Sequence, residues 1–150
     1  MLAGNFNLTN VDELFNQLVE IGQYPKERKD TVTALEKIGH FIDMENNSLH
    51  HKYSKEGTPN KDITGLISQN MDLPKILSEA CKKWDGGYAI CGMLGHGDAF
   101  VVRDPAGIRP AFYYHNDEIA IVASERPAIQ TALNIKTEDI KEITPGHALI

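Results

Sequence analysis

Arg103-Asp104-Pro105-Ala106-Gly107-Ile108-Arg109-Pro110 joins two strand-like runs, 99–102 and 109–114, and decides how the second half of the chain is read. Pro105 presets φ at the second position of a turn, Gly107 tolerates the exit backbone, and Asp104 can accept the amides that follow it. On local grounds the segment is a hairpin loop. Two arginines and a carboxylate are a costly way to build one, because each charge must stay hydrated or find a partner.

Around this turn the apolar period is two. Runs 88–93, 99–102, 109–114 and 118–123 read as strands, connected by Gly95-His96-Gly97, by the turn at 104–107 and by His115-Asn116-Asp117. Short connections in succession predict an antiparallel meander. Ser124-Glu125-Arg126 then caps a short helix to Leu133 with Pro127 in its first turn, and Thr144-Pro145-Gly146 leads into a last apolar strand.

Upstream the period is helical. Val11, Leu14, Phe15, Leu18 and Val19 share one face of a helix over 11–21, and Asn10 with Glu13 makes a capping-box pair at its start. Asp30 or Thr31 opens a second helix whose inward side is Val32, Leu35, Ile38, Phe41 and Ile42. The polar stretch 43–60 reads as partly helical at first and then as a mobile loop. A third helical piece covers 61–69, and Asp72-Leu73-Pro74 opens a fourth that runs to Trp84. Helices followed by strands give an α+β class, with the inner face of the sheet expected against the helices.

With 150 residues, 41% of them apolar and 24% charged, the chain can bury one ordinary core. A net charge of −6 with 15 scattered Lys and Arg supplies no basic face for nucleic acid. No apolar run approaches the roughly 20 residues of a membrane span. The expectation is a soluble, cytoplasmic protein with neither nucleic acid nor membrane as partner. Cys81 and Cys91 read as small buried hydrophobes rather than a disulfide framework. His50-His51 point apart and lack a further ligand at metal spacing. Gly95-His96-Gly97 joins strand to strand, so it is no phosphate cradle.

The octapeptide at 103–110 resembles the Arg-Asp-Pro-x-Gly-Ile-Arg-Pro segment of amidophosphoribosyltransferases. Gly4-Asn5-Phe6-Asn7-Leu8-Thr9-Asn10, followed by a helix, resembles the His-Asn-Gly-Asn-Leu-Thr-Asn of their class II glutamine amidotransferase domain. Lys29-Asp30-Thr31, before an apolar helix, is similar to the Ser/Thr-Asp-Ser/Thr of the same domain. These motifs stand in family order and cover most of the chain.

The resemblance implies part of the four-layer αββα sandwich of N-terminal-nucleophile hydrolases. Residues 1–150 would be the C-terminal portion of such a domain, incomplete at both ends. Sheet edges left unpaired would favour strand exchange, and a homo-oligomer is expected. The implied activity is hydrolysis of glutamine through a Cys thioester. Ammonia would pass to phosphoribosyl pyrophosphate in a phosphoribosyltransferase domain of the parent chain, for purine biosynthesis. No cofactor is implied within this segment, and Mg²⁺ only at the phosphoribosyltransferase site. Asparagine synthetase and glucosamine-6-phosphate synthase share the glutaminase chemistry, but Gly107-Ile108-Arg109-Pro110 resembles the purine enzyme best.

Family members open with the nucleophilic Cys, whereas this chain opens with Met1-Leu2-Ala3. The segment alone is therefore expected to be inactive. The alternative is a non-catalytic glutamine-sensing or docking module, or the glutaminase domain of another class II amidotransferase. By the resemblance, the Asn5 side-chain amide and the Phe6 N–H would form the oxyanion hole, with Phe6 standing where the family has Gly. Asp30 is a helix cap on local grounds, and the resemblance makes it the acceptor for the substrate's α-ammonium. Lys29 replaces the family's hydroxyl residue. Arg103, Asp104 and Arg109 are expected to support the active-site loop, the arginines through carboxylates such as Asp104 or Glu125.

Overall fold

Residues Asn10–Trp84 form a helical unit, and Met1–Thr9 with Asp85–Ile150 a strand-built one, in the computed structural model, which describes Met1–Ile150. The helical unit contains α1 (Val11–Glu20), α2 (Asp30–Lys55), α3 (Asn60–Asn70) and α4 (Leu73–Ala80). Leu14 and Leu18 form the buried stripe of α1. Its expected capping box is absent, because the Asn10 side chain donates to the Lys83 carbonyl (2.8 Å) and Glu13 instead accepts from Gln17. Asp72 does cap α4, accepting the Lys75 amide at 3.0 Å, with Pro74 in the first turn. That helix stops at Ala80 rather than running to Trp84, and Lys83 adopts φ +65° beyond it.

The polar stretch after Ile42 is helix, not loop. α2 continues to Lys55, and Leu49 and Tyr53 pack with Ile63 and Ile67 of α3 in a small core. These two apolar side chains, one turn apart, are enough to tie the second half of α2 down, since tertiary burial rather than propensity stabilises most helices. The inward face of the first half also shifts from the expected one. Thr33, Ala34, Lys37 and Ile38 are buried, while Leu35 is half-exposed.

In the strand-built unit, β1 (Leu2–Leu8), β2 (Gly86–Met93), β3 (Ala99–Arg103) and β7 (Ala148–Leu149) form one antiparallel sheet in the order β1-β2-β3-β7. A second antiparallel sheet has the order β5-β4-β6, from β4 (Phe112–His115), β5 (Ala120–Ala123) and β6 (Lys141–Glu142). Helix α5 (Arg126–Leu133) packs on β5 and β4, starting after Glu125 without a side-chain cap. The two sheets meet across a core of Val101, Ala111 and Ile143, joined by Ala89, Tyr113, Val122 and Leu149. The other face of the first sheet buries Tyr88, Ile90, Phe100 and Val102.

This topology overturns the meander. β2–β3 and β4–β5 are hairpins, but they belong to different sheets, and the segment at 104–110 crosses between them. The fully buried Asp104 explains the crossing. Its N–H donates to the Tyr88 carbonyl at 2.8 Å, but the Tyr88 N–H is accepted by Asp104 Oδ2 (3.2 Å), so a carboxylate takes a ladder position a main-chain carbonyl would hold. The same carboxylate accepts the amides of Ile108 (2.8 Å) and Arg109 (2.9 Å). The Asp104 carbonyl is released to accept Gly107 and Gly146. Gly107 is required here: its φ is +67°, and a Cβ would sit 2.9 Å from Pro145 Cγ.

Burial pushes the Asp104 carboxyl up, but the amides of Arg109, Ile108 and Tyr88 together with the Arg103 guanidinium outweigh it, and the net shift is downward. Asp104→Asn keeps the shape but turns one acceptor oxygen into a donor among amide donors. Urea unfolding should show a loss of about 3 kcal/mol at neutral pH. Because the folded pKa is the lower one, the carboxylate's contribution is complete above the unfolded value and is lost as acid protonates the native state. The gap between wild type and variant should therefore close below about pH 4. A gap that stays constant into acid would contradict this account. Ser48→Pro tests the length of α2: a helix interior loses about 3 kcal/mol on such a change, whereas unchanged stability would return the segment to a loop.

Candidate functional site

Asn5, Phe6, Arg103, Asp104 and Arg109 all lie in the strand-built unit, whereas Asp30 belongs to the helical one. Asn5 and Phe6 sit in β1, an edge strand that pairs only with β2. The ladder's bonded positions are fixed at both ends: the terminal amine of Met1 and the Met93 N–H donate to each other's carbonyls, and the Thr9 N–H donates to Asp85. Antiparallel ladders alternate between bonded and non-bonded pairs. The pair Phe6–Tyr88 is thus non-bonded, and the Phe6 N–H points away from β2 to the open edge. Position 6 has ordinary extended backbone, and the half-buried phenyl shares the face of Tyr88, so Phe in place of the family's Gly imposes no left-handed conformation.

Opposite residues of an antiparallel pair share a face. Asn5 faces with Ala89, and Asn7 with Gly87, on the side that carries the sheet–sheet core. A Cβ on Gly87 would meet Ile108 Cγ2 at 2.7 Å and Arg109 Cγ at 3.6 Å. The crossover therefore lies directly over Gly87, which no larger residue could allow, and brings Arg109 to the face of Asn5 and Asn7.

The two arginines of the octapeptide behave differently. Arg103 is buried, donating Nε to the Arg109 carbonyl (2.7 Å), Nη1 to Glu142 Oε1 and to the Ile143 carbonyl (both 2.6 Å), and Nη2 to the Gly107 carbonyl (3.2 Å). Its carboxylate partner is Glu142, neither Asp104 nor Glu125. Glu142 also stands 3.9 Å from Arg126, whose guanidinium covers the Phe112 ring. Arg109 joins the loop only through its backbone. Its side chain has no carboxylate partner, and its buried Nε has no acceptor.

Asp30 is the first residue of α2, and Lys29 occupies the cap position with extended backbone. Asp30 Oδ1 accepts the Thr31 amide at 2.8 Å, a local bond that leaves its other oxygen open. In the same unit, sequence reasoning missed Lys37. This buried amine donates to the Lys82 carbonyl at 2.7 Å, and burial is the chief cause of its lowered pKa. Nothing in the local pattern marks it, since helix position alone decides its burial.

The cysteines divide. Cys81 is largely covered and burial pushes its thiol up to about 12. Cys91 is exposed, contrary to the expectation of a buried hydrophobe, because it falls on β2 opposite Ala3 near the sheet end. Partial desolvation raises its pKa too, so neither thiol is poised as a thiolate near neutrality. His50 and His51 are exposed on α2, and no three His, Cys, Asp or Glu side chains converge as a metal site. A cavity of about 910 Å³ opens between the sheets, walled by Ala3, Cys91, Val101, Tyr113, Val122 and Leu149. Asn5, Phe6 and Arg109 are not part of it, and its apolar walls offer little to a carboxamide. No helix is long and apolar enough to cross a membrane.

No family model matches the chain. It is 24% identical over 119 residues to a putative glutamine amidotransferase of Methanothermobacter thermautotrophicus, covering 77% of this chain and 34% of that protein. It is 29% identical over 123 residues to an amidophosphoribosyltransferase of the same organism, covering 75% of this chain and 25% of that one. The chain thus spans about a third and a quarter of the length of these relatives. Among solved structures, glutamine phosphoribosylpyrophosphate amidotransferase from B. subtilis, complexed with ADP and GMP, superposes with a TM-score of 0.64 at 23% identity, over 99% of this chain and 26% of that one. That likeness supports an α+β fold with antiparallel sheets, and the sequence similarity runs to glutamine amidotransferases.

Proposed function

We propose that these residues belong to the glutaminase part of a class II glutamine amidotransferase, of the kind found in amidophosphoribosyltransferases. The observation that carries the reading is the pairing of an outward, unbonded Phe6 N–H at the edge of β1 with the side-chain amide of Asn5 beside it. Thiolate attack on a carboxamide carbon makes an oxyanion, and two fixed donors stabilise that charge as it forms. The proton removed from the thiol passes to the amide nitrogen, which leaves as ammonia when the intermediate collapses, and water cleaves the thioester that remains to glutamate and the free thiol. The reading implies the four-layer αββα arrangement and transfer of the ammonia to phosphoribosyl pyrophosphate elsewhere in the polypeptide. Because Cys81 and Cys91 are held as thiols, the nucleophile would come from outside these residues. Asp30, with one carboxylate oxygen open, is assigned the substrate's α-ammonium.

In the polypeptide that carries the nucleophile, Asn5→Ala should lower glutaminase kcat by about 10²- to 10³-fold, the loss of one oxyanion donor. A loss under tenfold would remove Asn5 from that role. Asp30→Asn should act chiefly on KM, because the charge it opposes is present in ground and transition states alike. An unchanged KM would reject the assignment. Should the natural polypeptide bind glutamine and release no ammonia, the non-catalytic sensing module would be the correct reading.

A further inference from the structure

β5 is an edge of the second sheet and pairs only with β4. The Asn116 N–H donates to the Ile119 carbonyl at 3.0 Å, which makes these two residues a bonded pair at the end of the hairpin. Bonded and non-bonded pairs alternate along an antiparallel ladder. Tyr114–Ile121 and Phe112–Ala123 are therefore bonded, and Ala120 and Val122 turn their N–H and C=O groups outward. Neither of these amides bonds elsewhere in the chain.

Edge strands are commonly blunted by charge or proline. β5 has neither: it reads Ala-Ile-Val-Ala, and none of its side chains can hydrogen-bond. Ala120 and Val122 also wall the cavity between the sheets, whose rim carries the exposed side chains of Met93 and Ile119. Open amides and exposed apolar surface thus coincide, as they do where a sheet accepts a further strand. Four residues give few hydrogen bonds, so burial of that apolar rim would have to supply the rest.

The flanking charges select the occupant. Glu118 stands at the hairpin tip just before β5, and Arg126 just after it is exposed. Two copies related by a two-fold axis at Val122 would set Val122 opposite Val122 and Ala120 opposite Ser124, and would bring Glu118 toward Arg126 of the partner subunit in both directions. The neighbouring register that keeps outward amides paired, centred on Ile121, would instead set Asp117 against Glu125, a like-charge pair. Charge complementarity therefore favours a second copy of this chain in the first register.

We propose that β5 pairs with β5 of a second copy, antiparallel and centred on Val122, so that the two β5-β4-β6 sheets become one continuous sheet. Val122 of both copies then lies side by side on the face that walls the cavities, and each copy extends the apolar wall of the other. The inference is independent of the glutaminase reading, which uses the edge of β1 in the other sheet.

The test is the mass of the 150-residue chain by light scattering over a concentration series, with amide hydrogen exchange at Ala120 and Val122 followed by NMR. Wild type should double in mass as concentration rises, and those two amides should exchange at least roughly tenfold more slowly in the dimer. Ala120→Pro removes an outward N–H that β4 does not use, so it should keep the fold and lose the dimer. Glu118→Arg should weaken the dimer by about tenfold, and adding Arg126→Glu should restore it. A wild type that stays monomeric up to its solubility limit would overturn the proposal and leave the edge to a different polypeptide. So would a dimer whose Ala120 and Val122 amides exchange freely, or one that survives Ala120→Pro and is lost in Leu2→Pro at the edge of β1. The wild-type measurements and the charge exchange at exposed positions stand even if Ala120→Pro folds poorly.

Discussion

The strand-built unit depends on one buried carboxylate. Taking an ionised carboxyl out of water costs several kcal/mol, and Asp104 offsets that cost by collecting three main-chain amides from two separate segments, with a guanidinium nearby. Each bond has a topological effect. The bond from Tyr88 ends β3 by substituting a side chain for the next ladder carbonyl, and the bonds from Ile108 and Arg109 curl the chain out of the first sheet. Arg103 then ties the exit to Ile143 and Glu142 at β6, so the sheet being left and the sheet being entered are joined through one residue pair. Residues 103 and 104 act as a unit, and the charges that looked wasteful for a hairpin are what a crossing between sheets needs.

The sequence carried much of this, though not its topology. The turn chemistry of Pro105 and Gly107 was legible, and so were the β2–β3 and β4–β5 hairpins and the cap at Asp72. Whether the Asp104 carboxylate bonds within its own turn or across to Tyr88 was not, because both uses obey the same local rules, and that choice separates a meander from two stacked sheets. The length of α2 was hidden for a different reason. Leu49 and Tyr53 supply a single turn of apolar spacing in an otherwise polar run, too little to fix a period, and their partners Ile63 and Ile67 come later in the chain. β1 was missed as a strand because Gly4, Asn5 and Asn7 are poor strand formers, held there by the ladder with β2. The donors at Asn5 and Phe6 were named only through the resemblance, since which amides a ladder leaves unbonded is a matter of register.

That register has a cost and a use. An edge strand with outward amides invites unwanted pairing, and proteins commonly blunt such edges with charge or proline. β1 has neither. Its outward N–H groups persist in a short, Asn-rich strand whose side chains on the core-bearing face, Asn5 and Asn7, are polar and exposed. Polar side chains weaken the edge as an apolar docking strip while leaving its amides available. The same feature that would be a liability in a Val- or Ile-rich strand becomes a set of fixed donors here.

Preorganisation separates the donors at the edge of β1 from the cavity between the sheets. The space between the sheets is walled mainly by alkyl and aromatic groups, which recognise volume and burial. A ligand with charge and hydrogen-bonding groups at both ends would need instead donors that cannot relax as charge develops. A ladder amide is such a donor, because its direction is set by bonds to the neighbouring strand on either side of it. A side chain on a loop usually is not. Arg109 is the exception in this unit: its own N–H and C=O are both locked, one by Asp104 and the other by Arg103, so the loop gives its guanidinium an origin nearly as fixed as a strand would. The buried carboxylate that redirects the chain therefore also fixes the point from which the Arg109 side chain leaves the loop over Gly87.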